Sequence, residues 1–322
     1  MEPKSRQRTS VLLAAAVAVI LTASSALAGI TTRTVTFKNE GAALSGTLYL
    51  PADPPDARLP VVVVTGAWTS VEEQMPSVYA RAMVERGFAA FTFDFRGWGK
   101  SGDLPGRVRF KEDPKAKISD IRAAIAFVST LAEVDARRIN GLGICASSGY
   151  MVDAVSGNPL VSRVGLVAPW LQNDEIVKAV YGGEKGVNAL VSVSRAAAAR
   201  GGEIIPAAGP KGAKGVLMPI GGYYHDPNRG AVPQYDNKWN QAGWEGWLTY
   251  HPAENPGRLN KPLAIVHSKA AAIPSGVKTF VKGLAGQATL RWLENVTQFD
   301  FYDNPEDVRR AADVMAEHFR QN

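Results

Sequence analysis

Gly141-Leu142-Gly143-Ile144-Cys145-Ala146-Ser147-Ser148-Gly149 is the stretch on which the fold is decided. An apolar run leads into it and a helix-like run follows it. That layout makes a sharp strand-to-helix turn, a nucleophile elbow, with one reactive side chain held above a sheet. The side chain is Cys145, the chain's single cysteine, and Ser147 takes the place of the elbow's usual second glycine. A thiolate is the nucleophilic form of cysteine, and the dipole and free amides of a helix N-terminus lower a thiol's pKa. The pattern therefore predicts a reactive thiol at position 145. Its alternative is a small buried hydrophobe.

Working outward, residues 35–50 alternate in hydrophobicity and suggest an antiparallel hairpin. The run Val61-Val62-Val63-Val64 reads as a strand buried on both faces of a parallel sheet. Helical spacing follows at 76–86, with Pro76 suited to a first turn and Gly87 to a stop. Strands are predicted at 88–93, 138–144, 164–169, 262–267 and 289–293, and helices at 118–131, 147–155, 275–284 and 305–319. Alternating strand and helix units predict a parallel sheet with helices on both faces. Residues 170–260 break this rhythm and are rich in Gly, Pro and aromatics. A segment that long is an insertion over the site rather than a plain connection.

The N-terminus reads as a secretory signal. Lys4, Arg6 and Arg8 form a basic start, residues 11–28 are mostly apolar, and Ala26-Leu27-Ala28 is a cleavage pattern before Gly29. An uncleaved anchor is the alternative, for a span of roughly 20 residues. The expected mature unit is 29–322, periplasmic or secreted and free of the membrane. The 322 residues carry a net charge of +6, and removal of the signal's three bases and one acid leaves +4. No basic cluster accompanies that charge, so a nucleic-acid partner is not indicated. One cysteine forms no internal disulfide, and a leftover cysteine in an exported chain flags a reactive thiol.

Three segments carry a resemblance. Phe93-Asp94-Phe95-Arg96-Gly97-Trp98-Gly99-Lys100-Ser101-Gly102, Ala136-Arg137-Arg138-Ile139 leading into the elbow, and Phe301-Tyr302-Asp303-Asn304-Pro305 resemble the α/β-hydrolase superfamily, most closely its dienelactone-hydrolase-like branch. The resemblance spans about residues 45–320. It implies a mostly parallel eight-stranded sheet with a cap inserted between strands six and seven. It also implies an ester, lactone or thioester substrate and an oxyanion hole from the Ala146 N–H and the N–H of Ala67 or Trp68. The family's acid and histidine positions fall on Ala271 and Gln298 here. Glutamine donates and accepts hydrogen bonds but shuttles no proton.

Substitute bases are His225 and His251 in the insertion, each equally readable as a surface or packing histidine. Asp174 is an alternative acid or a solvated helix-start residue. Trp170, Tyr223 and Tyr224 are candidate pocket residues, although such aromatics also form small cores. Arg229 is a candidate for a substrate carboxylate or a solvated charge. Gly97 to Ser101 ends like a phosphate loop but lacks its first glycine. Gly141 to Ala146 fits a dinucleotide fingerprint, yet the next strand ends without the acid that fingerprint needs. No cofactor is expected, and four dispersed histidines indicate no metal site. The functional expectation is an exported cysteine hydrolase of small activated acyl compounds. Its alternative is a binding protein that has kept the pocket and lost turnover.

Overall fold

The computed structural model describes residues 29–53, 55, 57–286 and 288–321; the predicted signal segment lies outside them. Ten strands are described: β1 (Ile30–Asn39), β2 (Ala42–Pro51), β3 (Leu59–Thr65), β4 (Ala89–Phe93), β5 (Val134–Ile144), β6 (Val161–Val167), β7 (Ile204–Pro206), β8 (Lys238–Asn240), β9 (Leu263–Ser268) and β10 (Ala288–Leu293). Eight of them form one sheet in the order β1-β2-β4-β3-β5-β6-β9-β10, while β7 and β8 pair apart. In the large sheet β2 runs antiparallel to β1 and β4 and the remaining pairs are parallel, while β7 and β8 are antiparallel. Val61, Val62, Val63 and Val64 all have 0% exposure. Successive strand residues point to opposite faces, so both faces of the sheet are covered.

The helices are α1 (Met75–Val84), α2 (Pro114–Val128), α3 (Ser147–Val155), α4 (Asp174–Val180), α5 (Gly183–Ala199), α6 (Trp244–Leu248), α7 (Pro274–Lys282), α8 (Asp300–Asp303) and α9 (Pro305–Arg320). α1 packs with α9, and α2 with α3. α2 starts four residues before the predicted 118. The Asp113 carboxylate accepts from the Ala116 N–H and Pro114 follows at the first position. The polar first turn conceals that start from apolar periodicity, although the cap and proline mark it. No helix among the described residues is long and apolar enough to cross a membrane.

Between β6 and β9 lie α4, α5, β7, β8, α6 and several single 3-10 turns. The Ala196–Ala199 run closes α5, which is 17 residues long, so this part of the segment is more regular than its composition suggests. Trp239, Trp244 and Trp247 are buried. Trp247 stacks on Trp68 of the β3–α1 loop at 4.8 Å between ring centres. Two buried hydrogen bonds also tie the segment to that loop: Gln74 Nε2 to Gly230 O at 2.6 Å, and Thr69 Oγ1 with the Tyr235 hydroxyl at 3.1 Å.

The Asp94 turn holds the opposite side of the site. Asp94 is buried, and its two oxygens accept the Glu72 and Lys100 amides at 2.8 Å each. A Cβ on Gly99 would lie 2.2 Å from that carboxylate, so only glycine fits there. Arg96 forks onto buried Asp120 through Nε at 2.9 Å and Nη2 at 2.7 Å. These motif residues staple loops together and do not reach the cavity described below.

Candidate active site

β5 delivers Cys145, and α3 begins two residues later. Cys145 sits at φ +56, in the left-handed region that side chains avoid because Cβ crowds the backbone. The turn is tight enough that a Cβ on Gly143 would stand 2.7 Å from Ser148 Cα. Ser147, in the usual glycine position, is fully buried. Its hydroxyl accepts from Thr65 Oγ1 at 2.9 Å and donates to Ile144 O at 3.1 Å. The side chain thus binds the elbow to β3. The Cys145 carbonyl accepts from the Ser148 and Trp170 amides at 3.1 and 2.9 Å.

Four groups surround Cys145 Sγ: the Tyr302 hydroxyl and the Ala146 and Trp68 amides as donors, with the Gln298 amide nitrogen beside them. Of the two amides considered after β3, it is the one of Trp68 that points at the sulfur. Ala67 is buried and its carbonyl is occupied by Ser70, whose N–H and hydroxyl donate at 3.2 and 2.8 Å. Burial of the thiol outweighs the donors and pushes its pKa up. The depressed thiol predicted from the helix N-terminus is therefore corrected: Cys145 is 6% exposed, and desolvation disfavours the thiolate more than the amides favour it.

Gln298, which the resemblance aligns with the family's histidine, is fixed as a bracket. Its Oε1 accepts from the Ala272 N–H at 3.0 Å, and its Nε2 donates to Ala168 O at 2.9 Å and to the Tyr302 hydroxyl at 3.1 Å. Ala271 is buried and presents only a methyl group. Ile273, just beyond, is held at φ +41, which is strained for a β-branched residue.

A cavity of about 270 Å³ opens on the sulfur. Trp68, Cys145, Ala146, Trp170, Met218, Ile220, Tyr224, Trp247, Ala272, Gln298, Phe299 and Tyr302 line it. No residue of that lining is charged. Trp170 and Tyr224 thus stand where the sequence put them. Tyr223 is buried behind the wall, stacked on Phe299 and edge-on to Tyr302. Trp239 and Trp244 back the Trp68–Trp247 stack, so the insertion's aromatics serve both as wall and as core.

The other candidates lie elsewhere. His225 is exposed on a 3-10 turn. His251 is bound through Nε2 to Leu248 O at 2.9 Å and pairs through Nδ1 with Glu254 at 3.3 Å. Neither histidine borders the cavity, so neither is within reach of Sγ as a base. Arg229 is claimed by Asp303, with Nε to Oδ2 at 2.7 Å, and does not face the cavity. Asp174 is exposed and pairs with Lys178 at 2.8 Å. His267 and His318 are buried and bound to the backbone oxygens of Ala272 and Pro262. Among the described residues, Glu72, Glu73 and Asp94 bring carboxylate oxygens within 4.8 Å of one another. They engage Thr47, Thr92, Lys100 and backbone amides rather than the cavity.

Sequence reasoning missed Tyr302. It appears only within the Phe301-Tyr302-Asp303 resemblance, yet it stands four residues after Gln298, the helical spacing that places two side chains on one face. Met218 and Ile220 were also missed, because lining residues from a long insertion follow no local period, and so was Phe299 in the loop after β10.

No protein-family model matches the chain. It is 39% identical over 133 residues to the uncharacterized protein PA2218 of Pseudomonas aeruginosa, covering 41% of this chain and 35% of that one; the match thus spans about a third of the relative's length. It is 28% identical over 305 residues to the uncharacterized protein YcjY of Escherichia coli, covering 88% of this chain and 95% of the relative. A thiohydrolase of Eupenicillium brefeldianum is 32% identical over 117 residues, 36% of each chain. Among solved structures, PA2218 superposes with a TM-score of 0.78 at 25% identity, covering 90% of this chain and 93% of its own. The α/β hydrolase GrgF from Penicillium sp. sh18 gives a TM-score of 0.70 at 17% identity, covering 90% of this chain and 100% of its own. With the strand order and the elbow, these likenesses establish that the chain adopts the α/β-hydrolase fold.

Proposed function

We propose that this protein is an exported hydrolase that uses Cys145 as nucleophile against activated esters, lactones or thioesters, in the manner of dienelactone hydrolases. The observation that carries the reading is the strained elbow itself. It holds Cys145 at φ +56 with Sγ beside the Ala146 and Trp68 amides, at the edge of an uncharged cavity. Strain of this kind costs on the order of 1–3 kcal/mol and persists where function needs the geometry. Sulfur attacks the acyl carbon, the two amides hold the developing oxyanion, and an acyl-Cys145 intermediate forms. The uncharged lining suits a neutral acyl group. Sequestration of Arg229 by Asp303 argues against a carboxylate in the bound substrate. The relative named thiohydrolase supports a thioester among the candidates.

The missing histidine shapes the substrate class. Alkoxide and amine leaving groups need a proton from an acid, whereas thiolates, phenolates and enolates largely do not. Deacylation lacks the histidine that would activate water, so turnover is a burst followed by a weak steady rate. A neutral aryl ester or thioester mixed with the full chain should release one equivalent of leaving group quickly and add the acyl mass to Cys145. Cys145→Ala should remove both. The insertion between β6 and β9 acts as a cap over this chamber. The mature chain begins at Gly29, which the intact mass of protein from an exported fraction checks.

A binding protein is the second reading. It is favoured by the raised thiol and by a ring of donors with no base beside it. A complete absence of acyl adduct, with tight retention of the same neutral compounds, would select it.

A further inference from the structure

Four groups reach Cys145 Sγ, and their hydrogen-bonding capacities differ. The Ala146 and Trp68 amides can only donate. Gln298 presents its amide nitrogen to this side, because its oxygen is taken by the Ala272 N–H at 3.0 Å. A thiol that attacks an acyl carbon must lose its proton, and none of these three can take it. Tyr302 differs. Its oxygen has two lone pairs and one hydrogen. One lone pair accepts Gln298 Nε2 at 3.1 Å; the other lone pair and the hydrogen remain for the sulfur and whatever lies beside it in the cavity, which Tyr302 also lines.

We propose that Tyr302 is a catalytic residue that relays the proton of Cys145 to the leaving group. The proposal rests on Cys145 being the nucleophile. In acylation, Sγ bonds to the acyl carbon and the S–H proton passes to the Tyr302 oxygen. The Tyr302 proton passes to the leaving sulfur or oxygen as its bond to the acyl carbon breaks. Tyr302 ends as it began, and the products are acyl-Cys145 and a neutral thiol or alcohol. In deacylation, water bonds to the acyl carbon and gives its proton to Tyr302. Tyr302 returns its own proton to Sγ as the C–S bond breaks.

The surroundings suit a relay rather than a preformed base. Tyr302 is 1% exposed, and burial holds its phenol protonated. It is wedged by Tyr223, Tyr224 and Phe299, with ring centres 5.2, 6.3 and 5.7 Å away. Gln298, fixed by the Ala272 amide and Ala168 carbonyl, donates to the phenolic oxygen and thereby points its hydrogen away from itself. The glutamine is thus a positioning residue for the tyrosine.

The test compares an aryl thioester and an alkyl thioester of one neutral acyl group, by burst rate, in the wild type and Tyr302→Phe. The phenylalanine keeps the ring and removes the relay. The alkyl thioester, whose thiolate is the more basic of the two leaving groups and so gains more from a proton, should slow by about 10²-fold, the lower end of general acid–base catalysis. The aryl thioester should slow by much less. A merely structural role would slow both equally, so equal losses, or none, overturn the relay while leaving the nucleophile intact. Should Tyr302→Phe fail to fold, the wild type decides: a burst with the alkyl thioester slowed in heavy water supports the relay, and equal rates overturn it. No burst from either thioester, or one that survives Cys145→Ala, overturns the nucleophile and the relay together.

Discussion

The elbow at Cys145 and the two loops facing it, after β9 and after β10, were built by different rules. At the elbow the function is backbone work. Gly143 gives room for the turn, Cys145 accepts φ +56, and the Ala146 and Trp68 amides converge because the chain path sends them there. Ser147, in the elbow's usual glycine position, is accommodated there by bonding to Thr65 and Ile144. In the facing loops the resemblance expects side-chain work, and at the two positions it marks Ala271 offers a methyl group and Gln298 a fixed amide. Backbone machinery outlives changes in sequence, while proton-transfer machinery is lost one side chain at a time.

The most severe way to break that comparison is to rebuild the weaker region. Gln298→His together with Ala271→Asp restores a base and a carboxylate to orient it. Steady-state hydrolysis of an aryl ester should then rise by about 10²–10⁴-fold. Gln298→His alone should gain much less, since it loses the Ala272 and Ala168 hydrogen bonds and finds only Ala271 where an orienting acid belongs. Initial-rate measurements on the two variants check this. A double variant no faster than the wild type would mean that the elbow, too, has drifted from a working geometry.

How far the sequence could be read follows the same division. The elbow, the double-buried valines of β3 and helix α3 were legible because turn sterics and hydrophobic period act over a few residues. The expectation that Ala271 and Gln298 stand at the family's acid and histidine positions came from resemblance, by their place in the chain. Tyr302 was not read as a partner of the thiol, because its role depends on Gln298 Nε2 donating to it across one helical turn. The raised thiol was not read either. The helix N-terminus is local and visible in sequence, but burial at 6% exposure comes from Trp247, Tyr224 and other residues far along the chain. His225 and His251 failed to meet the thiol for the same reason: only the path of residues 170–260 sets where they lie.

A smaller effect sharpens the contrast between functional and structural acids. Burial pushes Glu72 up to about 8 and Asp94 up to about 6, both well above the values of unfolded chains. Each therefore holds its proton more tightly in the folded state; buried His267, held down to about 4, acts in the opposite sense below about pH 6.5, so the effect of Glu72 stands clear between about pH 6.5 and 8. Stability must fall as pH rises through that window and level off above it. Glu72→Gln keeps the contacts near Thr47 and Thr92 without an ionisable group. Urea midpoints measured from about pH 6.5 to 9 should decline in the wild type, and the decline should be shallower in the variant. Parallel curves would remove Glu72 as the cause.

The smallest effect addresses the strain itself. Cys145 adopts φ +56 without the freedom of glycine, and left-handed backbone costs an L-residue roughly 1–2 kcal/mol. Glycine relieves that cost but adds unfolded-state entropy, which opposes the gain by about 0.4–1 kcal/mol relative to alanine. Cys145→Ala keeps the Cβ and the strain while discarding the sulfur, so it is the proper reference. Cys145→Gly should therefore exceed Cys145→Ala in unfolding free energy by about 1 kcal/mol or less, read from urea curves of equal slope. Such a gain would mean that the chain holds a less stable turn in order to present the thiol, as a working elbow requires. If the alanine variant is more stable than the glycine variant, the turn is relaxed, and the elbow is no more committed to chemistry than the loops that face it.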